Sequence, residues 1–172
     1  IYTSFEIKKT NKDFLKNGHV IIWTTTPWTI PANRALAYSS KIKYSVIQMG
    51  RDTEHFQNKN IIIANELINK VSEECNYKDF QIIKEFTGNE FNNTICTHPL
   101  LNLGYDYDVP MLEGDFVTLE QGTGIVHTAP AHGPDDFNLC LKHGIKTFST
   151  MNDAGIYSNE IPFFAGTHIF KA

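Results

Sequence analysis

The sequence has few cysteines and no long apolar run. Its three cysteines, Cys75, Cys96 and Cys140, are widely spaced and form no Cys-x-x-Cys pair. This spacing argues against a zinc knot and favours a reducing compartment. The longest apolar stretches, Val20–Trp23 and Ile61–Ala64, are far shorter than the roughly 20 residues needed to cross a bilayer. We therefore expect no membrane partner.

The sequence also lacks a secretory leader and starts at Ile1 rather than at Met. We expect the chain to be one piece of a longer protein of the cytoplasm. Its length fits a single domain over residues 1–172. A chain of this length buries roughly 70% of its unfolded surface, which is enough for a core without disulfides.

Dense basic runs are absent, and the formal net charge is −4. Proteins that grip a long duplex usually carry a basic stripe. If the chain meets nucleic acid, we therefore expect it to contact a short end only.

Three common catalytic motifs are missing: a Gly-x-Ser-x-Gly elbow, a phosphate loop and a cysteine beside a histidine. The sequence offers no protein nucleophile. Hydrolysis by this chain would use water, on a substrate that is already reactive.

Short apolar segments rich in β-branched residues predict strands. Prolines follow the first of these segments and forbid its continuation. The predicted strands are Val20–Thr25, Tyr44–Met49, Ile61–Ala64, Phe80–Phe86, Phe116–Leu119 and Gly124–His127.

Two segments predict helices. Asn65–Glu74 has apolar residues at helical spacing, with Asn65 as a candidate N-cap. Pro134–His143 starts with a proline and two acids, and Phe137 and Leu141, four residues apart, predict its inward face. Many strands with two helices predict a mixed α/β, mainly β fold, with a barrel-like, twisted β core and peripheral helices.

Three consecutive threonines stand out in the segment Trp23–Asn33, WTTTPWTIPAN. At a strand end stopped by proline, we expect their hydroxyls and backbone groups to face a cleft. Each hydroxyl donates and accepts hydrogen bonds, so the row suits a sugar, a carboxyl ester and a water molecule together. The competing interpretation is that threonine is common in strands and that Trp28 belongs to the core.

Glycine, proline, histidine and aspartate crowd into the segment Gly122–Phe137, GTGIVHTAPAHGPDDF. A predicted strand carries His127 to its end, and a turn leads to a helix that begins with Asp135 and Asp136. Side chains at a strand end and at the next helix start often converge on one pocket. The competing interpretations are a packed His127 and acids that satisfy the helix dipole, worth about 0.3–1 kcal/mol.

A metal site in this segment would use His127, His132 and one of the two aspartates. Their spacing differs from the helical pair of a zinc protease, because Pro130 and Gly133 break any helix there. We expect no metal, although ligand sets on loops have no fixed spacing.

In order and separation, Trp23–Asn33 and Gly122–Phe137 resemble the editing domain (connective peptide 1) inserted into class I isoleucyl-tRNA synthetases. Thr97–Leu100 and Val117–Leu119 support this resemblance. The related valyl and leucyl enzymes look like Thr-Thr-Arg-Pro in the first motif, whereas Thr26 stands at the third position here. The family's adenylate-forming signatures, His-Ile-Gly-His and Lys-Met-Ser-Lys-Ser, are absent. We therefore expect no amino-acid activation.

The resemblance implies roles for individual residues. Asp136 resembles the acid that anchors the substrate's α-ammonium, and His127 resembles the pocket wall that limits side-chain size. Asp136, His127, Thr25 and Thr26 are the candidate catalytic residues. His132 and Asp135 receive no role. The residues that match the threonine-rich strand lining the pocket and holding the terminal adenosine are Thr24, Thr25, Thr26, Trp28 and Thr29.

The function implied by the resemblance is hydrolytic proofreading of valyl-tRNA(Ile), with valyl-adenylate as a further substrate. The implied partners are the 3′ CCA end of tRNA(Ile) carrying valine and the remainder of the parent synthetase, and we expect a monomer. No cofactor is expected for this domain; ATP and Mg²⁺ are implied only for the parent. The alternatives are a free-standing trans-editing deacylase, a non-catalytic module that binds the tRNA 3′ end, and a metallohydrolase.

Overall fold

The computed structural model describes residues 1–50, 59–77 and 79–172. Strands dominate this part of the chain, and helices are few. The strands are β1 (Tyr2–Lys9), β2 (Gly18–Trp23), β3 (Ala35–Tyr38), β4 (Lys43–Met49), β5 (Asn60–Ala64), β6 (Phe80–Thr87), β7 (Ile95–Thr97), β8 (Asp108–Glu113) and β9 (Val126–Thr128). The α-helices are α1 (Ile68–Glu74) and α2 (Pro134–Lys142).

The strands form one sheet in the order β6-β4-β5-β2-β1-β7-β8-β3-β9. Only the β2–β5 and β3–β8 pairs are parallel; the others within the described ranges are antiparallel. The sheet is not closed, but it curves far enough that the Ala64 amide at the end of β5 donates to the Thr123 carbonyl, in the segment before β9, at 2.9 Å. The predicted mainly β, mixed α/β fold with a barrel-like core is confirmed as an open, curved sheet.

Gly124 allows the sheet to curl this tightly. Its φ is +76°, a conformation that favours glycine, and a Cβ there would lie 2.4 Å from the Cβ of Ala64. The Tyr44 hydroxyl donates to the Gly124 carbonyl at 2.8 Å. The chain before β9 is thereby held against β4 and β5, which places His127 at the end of the sheet that also carries the end of β2.

Most predicted strands are confirmed, although β2 ends at Trp23, two residues before its predicted end. The strand predicted at Phe116–Leu119 is wrong. A turn occupies this segment, in which the Val117 amide donates to the Gly114 carbonyl at 3.3 Å. Val117 is buried, so its apolar character reflects packing beneath a turn rather than a strand.

Both predicted helices form, but two details are wrong. The Asn65 side chain caps no helix; it accepts a hydrogen bond from Ser45 at 2.8 Å and donates one to Glu85 at 2.7 Å. In α2, Phe137 and Leu141 are 42% and 63% exposed. The helix buries Leu139 and Cys140 instead.

The orientation of α2 about its own axis has a simple cause. Asp136, Leu139 and Cys140 are spaced i, i+3 and i+4, so they share one face of the helix. The Asp136 carboxylate binds the Ala129 backbone, which turns this face toward the sheet. Within the described ranges, no helix is long and apolar enough to span a bilayer.

Candidate functional site

The two sequence motifs meet at one end of the curved sheet. A cleft of about 370 Å³ lies between the end of β2 and the segment from β9 to the start of α2. All the predicted site residues line it. The lining residues are Trp23, Thr24, Thr25, Thr26, Trp28, Thr29, Val126, His127, Ala129, His132 and Asp136.

Thr24–Thr29, here called the threonine turn, forms one wall. The expectation that a strand carries these threonines is wrong, because β2 ends at Trp23 and a 3-10 helix follows over Pro27–Ala32. The Thr24 Oγ1 accepts from the Thr26 amide at 3.0 Å, which closes the turn. Proline suits the first helical position, since the missing N–H would have no partner there.

Exposure divides the threonines into two groups. Thr24 and Thr29 are buried, whereas Thr25 and Thr26 are exposed at the mouth of the cleft. The Thr29 hydroxyl donates to the Thr26 carbonyl at 2.8 Å. The Thr24 and Thr29 hydroxyls are thereby fixed in the wall. The Thr26 hydroxyl is exposed but lies 3.2 Å from Thr24 Oγ1 and 3.5 Å from Thr29 Oγ1.

His127 forms part of the wall of the cleft and is hydrogen-bonded at both ring nitrogens. Its Nδ1 lies 2.7 Å from Asn33 Nδ2, and its Nε2 lies 3.0 Å from Thr29 Oγ1. Asn33 Nδ2 also lies 2.9 Å from the Ala35 carbonyl and 3.5 Å from the Thr128 carbonyl. Because carbonyl oxygens only accept, this corner of Asn33 is the amide donor.

The tautomer of His127 follows from these contacts. Nδ1 must accept from Asn33, so the ring hydrogen is on Nε2, which donates to Thr29. Burial, with smaller contributions from the nearby His98 and His132, lowers the pKa of His127 to about 4, although its hydrogen bond to Thr29 opposes the shift. His127 is therefore a fixed, neutral wall at physiological pH.

Asn33 is a site residue to which the sequence assigned no role. It is fully buried, and its backbone carbonyl accepts from the Tyr107 hydroxyl at 2.7 Å. Its position directly after the conspicuous threonine and proline run was the available signal. Its partner His127 lies 94 residues away in the sequence, so the contact itself required the fold.

Asp136 lies in the first turn of α2 and is half-buried, while Asp135 is exposed and does not line the cleft. The Asp136 Oδ2 accepts from the Ala129 amide at 2.8 Å. Burial raises the pKa of Asp136, the Ala129 hydrogen bond opposes that shift, and the charge of Asp135 adds to it. A bound cation would stabilise the charged form of this carboxylate and offset the solvation that burial removes.

Trp28 connects the cleft to the C-terminal part of the chain. Its ring meets Phe170 edge-on at 5.7 Å between centroids, and its carbonyl accepts from the Tyr157 hydroxyl at 2.7 Å. Trp28 is half-buried and lines the cleft.

The described ranges contain no group of three or more His, Cys, Asp or Glu side chains that could hold a metal ion. Both nitrogens of His127 already have side-chain partners. The cleft is lined by hydroxyls, two imidazoles and one carboxylate, together with apolar side chains.

The sequence is similar to one segment of isoleucine–tRNA ligases. The ligase of Pelagibacter ubique (strain HTCC1062) is 59% identical over 172 residues, which cover 100% of this chain and 19% of the ligase. The ligase of Gluconobacter oxydans (strain 621H) is 43% identical over 177 residues, covering 100% of this chain and 18% of that protein. The chain thus spans about a fifth of the length of these relatives. No family model matches it.

Solved structures show the same fold. A leucyl-tRNA synthetase domain described as GlLeuRS-CP1 has a TM-score of 0.71 at 14% identity, covering 99% of this chain and 91% of that one. The editing domain of P. knowlesi cytosolic leucyl-tRNA synthetase has a TM-score of 0.59 at 14% identity, covering 83% of this chain and 62% of that one. The chain is therefore homologous over its whole length to one segment of the isoleucine–tRNA ligases, and it has the fold of the leucyl-tRNA synthetase editing domain.

Proposed function

We propose that this chain is the editing domain of an isoleucine–tRNA ligase and that it hydrolyses the ester of mischarged valyl-tRNA(Ile). The observation that carries the proposal is the cleft, where the threonine turn, His127 and Asp136 come together. The homology to isoleucine–tRNA ligases and the editing-domain fold support an editing role. The remainder of the ligase would present the 3′ CCA end, since a net charge of −4 gives this chain little hold on phosphates.

Asp136 is the residue that would orient the substrate. An ammonium group and a carboxylate form a charge-assisted hydrogen bond, which is roughly twice as strong as a neutral one. Because Asp136 Oδ2 is fixed by the Ala129 amide, the carboxylate has a defined direction. Anchoring the α-ammonium there fixes the α-carbon, and so fixes where the amino-acid side chain points.

His127 would select by size. A pocket built for isoleucine rejects valine weakly, because one methylene is worth about 1–3 kcal/mol; that value is the established one for this very pair of amino acids. A second pocket too small for isoleucine admits valine and rejects isoleucine by steric clash. His127 suits such a wall, since Asn33 and Thr29 hold both ends of its ring.

Hydrolysis of the ester requires mainly that the water and the ester be correctly positioned. The aminoacyl ester is already activated by its neighbouring ribose hydroxyl and ammonium group, so holding water and ester in register supplies much of the rate. The exposed hydroxyls of Thr25 and Thr26 stand at the cleft mouth, where they would bind the water or the developing oxyanion. No protein nucleophile takes part.

The test is deacylation of valyl-tRNA(Ile) and isoleucyl-tRNA(Ile) by this chain and by Asp136→Ala and Asp136→Asn. We expect the wild-type chain to hydrolyse the valyl ester selectively. Both variants should be at least about tenfold slower, since a hydrogen bond to a charged group is worth about 1.5–3 kcal/mol.

Asp136→Asn is the matched control, because an asparagine oxygen still accepts from the Ala129 amide. It removes the charge and keeps the turn, so its unfolding free energy should stay at or above that of the wild type. Full activity in this variant would contradict the ammonium anchor. A folded wild-type chain that hydrolyses neither ester would instead support a non-catalytic module that binds the tRNA end.

A further inference from the structure

A second histidine, His132, lies in the cleft on the same side as Asp136. The backbone of Ala129 holds the segment between them at both of its polar groups. The Ala129 amide donates to Asp136 Oδ2 at 2.8 Å, and the Ala129 carbonyl accepts from the His132 amide at 2.9 Å. The loop that positions the carboxylate therefore holds the His132 backbone as well.

Thr150, from a distant segment, holds one edge of the His132 ring. The His132 Nε2 lies 2.7 Å from Thr150 Oγ1, and Thr150 is 4% exposed. The Thr150 carbonyl accepts from the Ser158 amide at 3.0 Å, which anchors that segment in turn. A hydroxyl both donates and accepts, so this bond forms with either tautomer of the ring.

The other edge of the ring makes no such hydrogen bond within the described ranges. The His132 side chain is exposed, unlike His127, and within the described ranges its Nδ1 has no hydrogen-bond partner. Partial burial lowers the pKa of His132, so the ring is neutral and Nδ1 can form one hydrogen bond with a hydroxyl group.

We propose that His132 contacts the substrate complex: its Nδ1 hydrogen-bonds the hydroxyl group beside the scissile ester, while Thr150 holds Nε2. That hydroxyl group belongs either to the attacking water or to the free vicinal hydroxyl of the terminal ribose. The inference rests on the proposed editing function. It adds a second polar contact next to the ammonium anchor, on the wall opposite the threonine turn.

Two amide variants separate the two edges of the ring. A glutamine amide reaches the position of Nε2, and an asparagine amide reaches that of Nδ1. His132→Gln therefore keeps the bond to Thr150 and loses the substrate contact, whereas His132→Asn does the reverse. We expect His132→Gln to lower kcat for valyl-tRNA(Ile) deacylation about fivefold to tenfold, as for one lost hydrogen bond, and His132→Asn, which keeps the substrate contact but loses the bond to Thr150, to lower it less.

Thr150→Val is the positioning control. It frees the ring without removing Nδ1, so its rate should lie between those of the wild type and His132→Gln. A loss confined to His132→Asn and Thr150→Val would show that His132 only ties two segments together, and it would overturn the proposal. Equal losses in both His132 variants, or no loss in either, would overturn it too.

A substrate that lacks the free vicinal hydroxyl identifies the partner. If His132 binds the ribose, the defect of His132→Gln disappears on this tRNA; if it binds the water, the defect remains. Asp136→Ala separates the two proposals. If hydrolysis is lost in Asp136→Ala but proceeds fully in His132→Gln, only the His132 contact is overturned. If the wild-type chain shows no hydrolysis, both proposals are overturned.

Discussion

Two buried histidines, His98 and His127, look alike in isolation and differ in their surroundings. Both rings have hydrogen bonds at both nitrogens, and burial lowers the pKa of each to about 4. The partners of His98 are backbone groups: its Nε2 lies 3.1 Å from the Ile30 carbonyl, and its Nδ1 accepts from the Leu100 amide at 3.1 Å. The partners of His127 are side chains.

The two histidine rings also differ in where they lie relative to the cleft. His98 stacks on Tyr105 at 4.7 Å between centroids and lines no part of the cleft, whereas His127 lines the cleft. A perturbed pKa and a satisfied ring are therefore weak signs of function, since a structural histidine shows both. What marks His127 is a ring fixed by side chains with one face turned to a cavity.

Replacing His98 gives the largest expected effect, and it acts on stability. His98→Ala leaves the Leu100 amide without its partner, removes one of the two donors to the Ile30 carbonyl, and opens a void against Tyr105. We expect the free energy of unfolding to fall by about 3 kcal/mol, measured by urea denaturation. The valyl-to-isoleucyl rate ratio of the folded fraction should stay at the wild-type value; a changed ratio would show that the two histidines are not distinct in role.

Replacing His127 should change selectivity instead. His127→Ala enlarges the cleft by most of an imidazole ring, so isoleucine would fit where valine fits now. We expect the ratio of valyl-tRNA(Ile) to isoleucyl-tRNA(Ile) deacylation to fall at least about tenfold, because pocket contacts of one methylene are worth about 1–3 kcal/mol.

His127→Gln is the control for that change. Its amide keeps most of the volume and still reaches Thr29, so its selectivity should stay nearer to the wild type than that of His127→Ala. An unaltered ratio in His127→Ala would show that His127 does not limit the size of the bound amino-acid side chain.

The sequence predicted the residues of the site better than it predicted the strands. Local patterns were sufficient for β4, β5 and β6, each of which contains adjacent β-branched apolar residues. They failed for β3, which reads Ala-Leu-Ala-Tyr and is fully buried in the sheet, because alanine and leucine favour helices when no partner strand is known.

Contacts between distant residues explain the remaining failures. The rotation of α2 depends on the bond between Asp136 and Ala129, and the role of Asn33 depends on pairing with His127. The threonines of the first motif leave the strand because Pro27 begins a 3-10 helix. Motif residues could be assigned to one cleft from the sequence, but the bonds that fix each side chain came only from the fold.

The smallest expected effect is on the pH dependence of stability, and here the two histidines should behave alike. Each has a pKa of about 4 in the folded chain, below the ordinary value of 6.5. Between these values the unfolded chain binds protons that the folded chain does not, so stability is complete above about pH 6.5 and falls as the pH falls toward 4. Asp136 works in the opposite direction, because burial raises its pKa in the folded chain.

Single variants isolate each contribution to that slope. A fully developed difference of one proton changes the unfolding free energy by about 1.4 kcal/mol per pH unit. His98→Asn and His127→Asn should each reduce the slope between pH 6 and 5, a window set by the shifted values, by about 1 kcal/mol per unit, measured by urea denaturation. Equal reductions would confirm that titration does not distinguish the structural histidine from the cleft histidine. A reduction in only one variant would mean that the other ring is protonated in the folded chain, and for His127 that would break the neutral wall on which valine selection depends.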